Sequence, residues 1–191
     1  MKNFLITLFF SLTLVGCAMV SKVNTGEIVV RDRMTVTVKD AWNQFEAGMA
    51  DNAPTWTKEG VAVDALKFYV GIKNGDLIAP TPAGQNAKPL AFQSSMKAAE
   101  VSALYQALLT RDGSSFTLEK LEPTSFAGSP GFRFEYSLVR KQDDVRLRGI
   151  AVGAVRGGEL FLIHYSAPRL AFFPKYAPQV ETLIQSARIK G

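Results

Sequence analysis

The nine residues ELFLIHYSA, from Glu159 to Ala167, are apolar on both faces of an extended chain. Successive side chains of a strand point to opposite faces of a sheet, and here both faces receive large apolar residues. Such a strand is buried on both sides, so we expect it at the centre of a sheet that is covered on both faces. The residues concerned are Leu160 and Leu162 on one face and Phe161, Ile163 and Tyr165 on the other.

Further strands are indicated on the N-terminal side of this segment. Alternation of apolar and polar residues predicts strands at 28–38, 66–72, 116–122 and 132–138, with a loop over 42–56. We expect Pro123 to end the third of these strands, and a change of apolar phase at Gly149 predicts a β-bulge. The pair Gly157-Gly158 predicts a two-residue hairpin turn into the central strand.

Two stretches have apolar residues at helical spacing, Met96–Leu109 and Pro174–Ser186. Ser94 or Ser95 is expected to cap the start of the first helix. Two helices that cover opposite faces of one antiparallel sheet would satisfy the whole pattern. The predicted fold is therefore of the α+β class, with a single antiparallel sheet and helices on both faces.

The first sixteen residues have the pattern of a secretory signal peptide. The apolar run Phe4–Leu14 follows a lysine and, as a helix, would span only about 16 Å, roughly half of a bilayer's hydrocarbon core. The run leads into Leu14-Val15-Gly16-Cys17, which resembles a bacterial lipobox, and Cys17 is the only cysteine of the chain. This resemblance implies cleavage between Gly16 and Cys17 and acylation of Cys17. The alternative is an ordinary signal peptide followed by a buried or chance cysteine.

One domain is expected after this leader, because a chain of this size supports a single hydrophobic core. We assign residues 1–16 to the signal peptide, 17–25 to a lipid-anchored tether and 26–191 to the domain. Acyl chains on Cys17 would hold the protein on a membrane. Ala18, in place of Asp, resembles the sorting signal for the outer membrane of enteric bacteria. The expected location is therefore the bacterial cell envelope, on the outer membrane facing the periplasm.

The composition excludes several kinds of site. With one cysteine and one histidine, the chain has no internal disulfide and no Cys/His metal site, and no cofactor motif is present. His164 and Ser166 share a face of the central strand, but such neighbours are about 6.5–7 Å apart, too far for a base and its nucleophile. Three scattered carboxylates, Asp64, Glu135 and Glu181, are expected to be paired or solvated. We therefore predict no enzymatic activity and a structural role for His164.

Two surface features are candidates for contacts with a partner or a membrane. The first is a group of basic residues expected around one hairpin end: Arg140, Lys141, Arg146, Arg148 and Arg156. They would face anionic lipid or a partner protein, or form a solvated edge, and nucleic acid is not expected beside an exported chain. The second is the pair Phe172 and Phe173, which would form a partner patch or pack beneath the last helix.

Several short motifs resemble the PsbP-like family of α/β/α sandwiches. They are WT at 56–57 with Gly60 and Asp64-x-Leu66, Ile72-x-Asn74-Gly75, GSPGFRF at 128–134, ELF at 159–161, YSAP at 165–168, and a closing helix from Phe173 to Ser186. The motifs follow in order between residues 27 and 189. The resemblance implies the sandwich fold and the role that most members have, that of a non-catalytic accessory or binding module.

Three functions follow from these observations. The first is a membrane-anchored envelope lipoprotein that binds another envelope protein. The second is a lipoprotein that binds a lipid or small ligand, in a cavity between the 132–138 strand and the last helix. The third is a hydrolase whose site is assembled in space around His164, which would need a carboxylate close to that ring.

Overall fold

The computed structural model describes residues 20–45, 53–82 and 88–190, within which the chain forms eleven strands and two helices. In chain order these are β1 Val20–Val23, β2 Gly26–Val30, β3 Met34–Val38, β4 Trp42–Phe45, β5 Thr55–Thr57, β6 Ala65–Ile72, α1 Ala98–Leu109, β7 Ser115–Phe126, β8 Ser129–Val139, β9 Arg146–Arg156, β10 Glu159–Pro168, α2 Phe172–Gln185 and β11 Arg188–Ile189. Both predicted helices are present, and the Gly157-Gly158 turn joins β9 to β10 with positive φ at both glycines.

Eight strands form one antiparallel sheet in the order β1-β4-β5-β6-β10-β9-β8-β7. The strand β10 lies between β6 and β9, so the central position predicted for it is confirmed. Three more strands form a second, small sheet in the order β11-β3-β2. The prediction of a single sheet is therefore wrong. The segment 28–38 is two strands, because Arg31 and Asp32 adopt left-handed φ values of 49° and 56° and reverse the chain.

The buried side chains form two cores. The α2-side core packs helix α2 with one set of strand residues, which includes Trp56, Phe68, Val152, Phe161, Ile163, Tyr165, Phe173, Val180 and Leu183. The α1-side core packs helix α1 with another set, which includes Tyr69, Phe92, Val101, Tyr105, Phe134, Tyr136, Ala151, Leu160 and Leu162. Alternate residues of β10 thus belong to different cores, which accounts for the apolar character of both its faces.

The strand β7 continues through Pro123 instead of ending there. Pro123 pairs with Phe132, and the strand runs on to Phe126. A proline lacks the N–H that a central strand would need, but among the described residues β7 is an edge strand whose one neighbour is β8. Two further strands, β4 and β5, lie where the sequence predicted a loop.

Gly149 lies in regular pairing and not at a bulge. It is opposite Tyr136 on β8 and Ser166 on β10, with no register shift at either position. The apolar phase changes because β9 is buried on both faces. The glycine itself is required by a close approach, since a Cβ at this position would lie 2.1 Å from Cζ of Tyr136.

The start of α1 also differs from the prediction. Lys97 occupies the N-cap position, and its backbone N–H donates to the side chain of Glu100 at 2.9 Å. Ser94 instead donates through its backbone to the side chain of Asn74. A capping box built on Glu100 therefore replaces the predicted serine cap.

The sheet begins inside the predicted tether. Val20–Val23 form β1 and pair with β4, so within the predicted segment 17–25 at most the first three residues precede the fold. The signal peptide, Gly16 and Cys17 lie outside the described residues.

Candidate functional site

A buried polar group centres on His164 in the middle of β10. The His164 side chain is 3% exposed and belongs to the face of β10 that contacts α1, where its ring packs against Tyr105. Its Nε2 lies 2.6 Å from the hydroxyl of Tyr136. A further hydrogen bond joins Tyr136 to Ser166. Tyr136 thus bridges the histidine and the serine, whose separation along one strand is too large for direct contact.

Burial decides the charge of this group. Burial, with a smaller contribution from the charge of Lys67, lowers the pKa of His164 to about 3. Burial also raises the pKa of the Tyr136 phenol, against a smaller opposing effect of the hydrogen bond with Ser166. At neutral pH the ring is neutral and the phenol protonated, and such a histidine is a weak proton acceptor.

The predicted structural role accounts for only one of the two ring nitrogens. Nδ1 of His164 is buried and has no hydrogen-bond partner among the described residues. Polar atoms inside a native protein are paired in most cases, so this nitrogen has hydrogen-bonding capacity that the described residues do not meet.

A surface cavity of about 280 Å³, open to solvent on one side, lies beside His164, between the C-terminal end of α1 and strands β6, β8 and β10. Its walls combine apolar side chains with several charged ones. The lining residues are Lys67, Tyr69, Leu108, Leu109, Arg111, Asp112, Ser114, Leu138, Arg140 and His164. Sequence reasoning selected His164 and Arg140 but missed the others, which come from three separate elements, β6, α1 and β8, and from the loop after α1.

The candidate carboxylates do not surround His164. Asp64 is 1% exposed and accepts hydrogen bonds from the Thr57 hydroxyl at 2.7 Å and from the backbone N–H groups of Lys58 and Glu59 at 3.0 and 2.8 Å. This carboxylate closes the turn that follows β5, and its role is structural.

Glu135 and Glu181 meet through one arginine. Arg133 donates to Glu135 at 3.0 Å and to both oxygens of Glu181 at 3.0 and 2.7 Å, while Arg148 donates to Glu135 at 2.7 Å. Burial acts to raise the pKa of Glu135, but the two arginines outweigh it and hold that pKa below its usual range. Both carboxylates are ion-paired, as predicted.

The basic residues of the predicted hairpin cluster separate into several environments. Arg140 is held by Asp143 at 2.7–2.8 Å and by the carbonyl of Ala62 at 2.8 Å. Lys141 and Arg146 are exposed at the same turn between β8 and β9. Arg148 pairs with Glu135, and its guanidinium lies 5.2 Å from the ring centre of Phe173. Arg156 lies at the opposite end of β9, where it donates to the carbonyl of Ile189, so it is not part of this group.

The exposed apolar residue beside the last helix is not a phenylalanine. Phe173 is buried in the α2-side core, and Phe172 is half-buried against it. Leu170 is 91% exposed and lines a surface cleft of about 520 Å³ with Arg146, Arg169 and neighbouring residues. Phe173 therefore packs into the core and Phe172 does so in part, and the exposed apolar side chain is Leu170, two residues before Phe172.

A cleft of about 350 Å³ lies where the ligand hypothesis expected one, between β8 and α2. Its lining is mostly polar and includes Arg133, Glu181 and Ile184. The first two are already bound to each other, so this cleft offers no free charge. Across the described ranges, no three His, Cys, Asp or Glu side chains converge as a metal site would require. In the same residues, neither helix has the length and apolarity to span a bilayer.

Comparison with known proteins identifies the fold. No protein-family model and no characterised protein matches the sequence. The solution structure of the cyanobacterial PsbP protein CyanoP from Synechocystis sp. PCC 6803 matches with a TM-score of 0.58 and 14% identity, over 95% of this chain and 99% of that one. The crystal structure of LpqN, involved in cell envelope biogenesis of Mycobacterium tuberculosis, matches with a TM-score of 0.37 and 10% identity, over 90% and 92% of the two chains. The predicted PsbP-like fold is confirmed by the first of these.

Proposed function

We propose that this protein is a lipid-anchored lipoprotein of the bacterial envelope whose PsbP-like domain is a non-catalytic accessory module that binds another envelope protein. The observation that carries the proposal is the lipobox-like Leu14-Val15-Gly16-Cys17, with the only cysteine of the chain at the acylation position. Because the sheet begins at Val20, at most about 10 Å of chain would separate the acylated residue from the fold. The domain would then work directly against its membrane, which we take to be the outer membrane, on its periplasmic side.

The layers of the fold support a binding role. We infer that α1 and α2 cover opposite faces of the large sheet, because successive residues of β10 pack into the two different cores. With both faces covered, the strand ends and turns are left for a partner. The turn after β10 offers the exposed Leu170 together with Arg146 and Arg169 on a mainly apolar cleft of about 520 Å³, and this is the surface that we assign to the partner.

The anchor is tested by moving the only thiol of the chain. Cys17→Ser is expected to abolish palmitate labelling and release the protein from the membrane fraction, without loss of the fold. As a control, Cys17→Ser combined with Ser21→Cys restores a thiol four residues away, at an exposed position of β1. Labelling should not return in this double variant. Labelling of either variant would contradict acylation at a lipobox.

The accessory role is tested in the same preparation. Cross-linking of the acylated wild-type protein in native membranes, followed by mass spectrometry, is expected to recover one envelope protein in stoichiometric amount. Leu170→Ser should lower that recovery at least fivefold, whereas Leu118→Ser, a matched change of an exposed leucine on β7, should not. If no protein is recovered in stoichiometric amount, the accessory role is refuted.

A further inference from the structure

We propose that the 280 Å³ cavity at the C-terminal end of α1 binds a small carboxylate with an apolar body, held by Arg111 and His164. This site is separate from the anchor and from the Leu170 surface, so the inference does not depend on the proposed function.

Two buried donors without partners lie on this one cavity. Nη1 of Arg111 donates to the carbonyl of Pro80 at 2.8 Å, which fixes the guanidinium, while Nη2 is buried and unpaired among the described residues. The second is Nδ1 of His164. Unpaired buried atoms also occur on Tyr165, Arg148 and Gln179, but none of these residues lines this cavity or the clefts of about 350, 420 and 520 Å³. Of these four spaces in the described residues, this cavity is the one lined by side chains with an unpaired buried nitrogen.

In the tautomer that we adopt for this proposal, the free nitrogen of His164 is a donor. The phenol of Tyr136 then donates its single proton to Nε2 of His164, 2.6 Å away. A neutral imidazole that accepts at Nε2 carries its own proton on Nδ1. The two ring nitrogens point in different directions, so with Nε2 turned to Tyr136, Nδ1 points away from the phenol, in a residue that lines the cavity. Both unpaired groups, Nη2–H and Nδ1–H, therefore require acceptors.

The charges around the cavity favour an anion. Lys67, Arg111 and Arg140 are the cations of the lining, against the carboxylate of Asp112 and that of Asp143, which pairs with Arg140, so three cations face two carboxylates. Arg111 has no carboxylate partner among the residues described. A carboxylate supplies one negative charge and two acceptor oxygens, and it matches the geometry of a guanidinium.

The apolar walls exclude a fully hydrated anion. Leu108 and Leu109 of α1, Tyr69 of β6 and Leu138 of β8 line the cavity, whose surface is mainly apolar. Water takes about 30 Å³ per molecule in the liquid, so the space corresponds to roughly nine waters. An aromatic or short alkyl carboxylate of about ten non-hydrogen atoms fits this size and buries its apolar part against the leucines.

The single histidine of the chain provides a specific probe. We would label the full chain with ¹⁵N-histidine, place it in lipid nanodiscs and titrate it with benzoate, phenylacetate and hexanoate. Before any addition, the spectrum should show the ring proton on Nδ1. At least one of the three acids should then shift the Nδ1 resonance saturably, and benzamide, the neutral analogue of benzoate, should bind at least tenfold more weakly than benzoate does.

Matched arginine variants separate the site from general charge effects. Arg111→Gln should weaken binding of the acid at least tenfold and Arg111→Lys should restore part of it, whereas Arg169→Gln, with the same change of net charge at an exposed position, should have no effect. Thermal unfolding of each variant distinguishes lost binding from lost fold. The proposal is overturned if none of the three acids shifts Nδ1, if Arg111→Gln binds as the wild type does, or if inorganic phosphate alone binds equally well. Binding by the Cys17→Ser chain is expected to be unchanged, so failure of the anchor and failure of this site give different results.

Discussion

Asp64 and His164 are both buried polar side chains, and they differ in how fully the fold satisfies them. The carboxylate of Asp64 accepts from three separate donors of the turn after β5. The ring of His164 has one partner, Tyr136, and leaves Nδ1 unpaired beside a cavity. A fully satisfied group is part of the framework, whereas a half-satisfied group retains capacity for a ligand. The extent to which a buried polar group is hydrogen-bonded therefore distinguishes a structural residue from a candidate binding residue better than the type of residue does.

The largest expected effect is at Asp64. Asp64→Ala leaves the Thr57 hydroxyl and the N–H groups of Lys58 and Glu59 without their acceptor, which should lower the free energy of unfolding by about 4 kcal/mol. Urea denaturation followed by circular dichroism measures it. The matched change Asp76→Ala, which removes an acceptor for the N–H of Lys73 at an exposed turn, should cost less than about 1 kcal/mol. Equal losses in the two variants would show that burial of the acceptor does not set the effect.

A smaller effect is expected at Gly149, next to the His164 group. In Gly149→Ala the new methyl carbon would lie 2.1–2.4 Å from ring and hydroxyl atoms of Tyr136 and push that side chain off His164, at a cost of about 3 kcal/mol in unfolding free energy. Tyr136→Leu removes the obstructing atoms. A double-mutant cycle by urea denaturation should therefore show that Gly149→Ala costs at least about 1.5 kcal/mol less in the Tyr136→Leu background. Additive losses would mean that Tyr136 does not require the glycine.

The large elements of the fold follow from local patterns. Apolar residues on both faces of 159–167 correctly placed β10 at the centre of the sheet, and helical spacing located α1 and α2 to within a few residues. Patterns failed where tertiary context decides the outcome. The strand through Pro123 is permitted by its edge position, and the phase change at Gly149 reflects burial on both faces, neither of which a local pattern contains.

The candidate site was less accessible to sequence reasoning. His164 and Ser166 were selected because they share a strand face, but their bridge, Tyr136, is 28 residues before the histidine. Arg111 follows α1 and lines the cavity with its guanidinium hydrogen-bonded to the carbonyl of Pro80, 31 residues earlier. Alternation of apolar and polar residues predicts which face of a strand a side chain occupies. It does not predict which side chain from another element contacts it there. The one signal of the Tyr136 contact was the glycine at position 149, which lies opposite Tyr136 on the neighbouring strand and leaves room for its ring.

The smallest expected effect is a pH dependence of stability, which tests whether the buried His164 ring is neutral in the fold. A histidine in an unfolded chain has a pKa near 6.5, whereas burial, with the charge of Lys67, lowers the pKa of His164 to about 3 in the fold. Between these values the unfolded chain binds a proton that the native protein does not, so stability should fall as the pH is lowered from about 6.5, with a slope that approaches about 1.4 kcal/mol per pH unit. Carboxylates with lowered pKa, such as Glu135, lose their stabilisation only at lower pH, near and below their usual pKa of about 4.3.

Because the chain has a single histidine, one variant isolates this slope. Urea denaturation of wild type and His164→Gln between pH 7 and pH 5 should show a falling free energy of unfolding in the wild type and a flat one in the variant. Asp64→Asn, which alters the satisfied group, should keep the wild-type slope whatever its stability. A slope that survives in His164→Gln would assign the titration to another group. His164 would then not be a neutral ring held by Tyr136, and the tautomer that turns Nδ1–H towards the cavity would lose its basis.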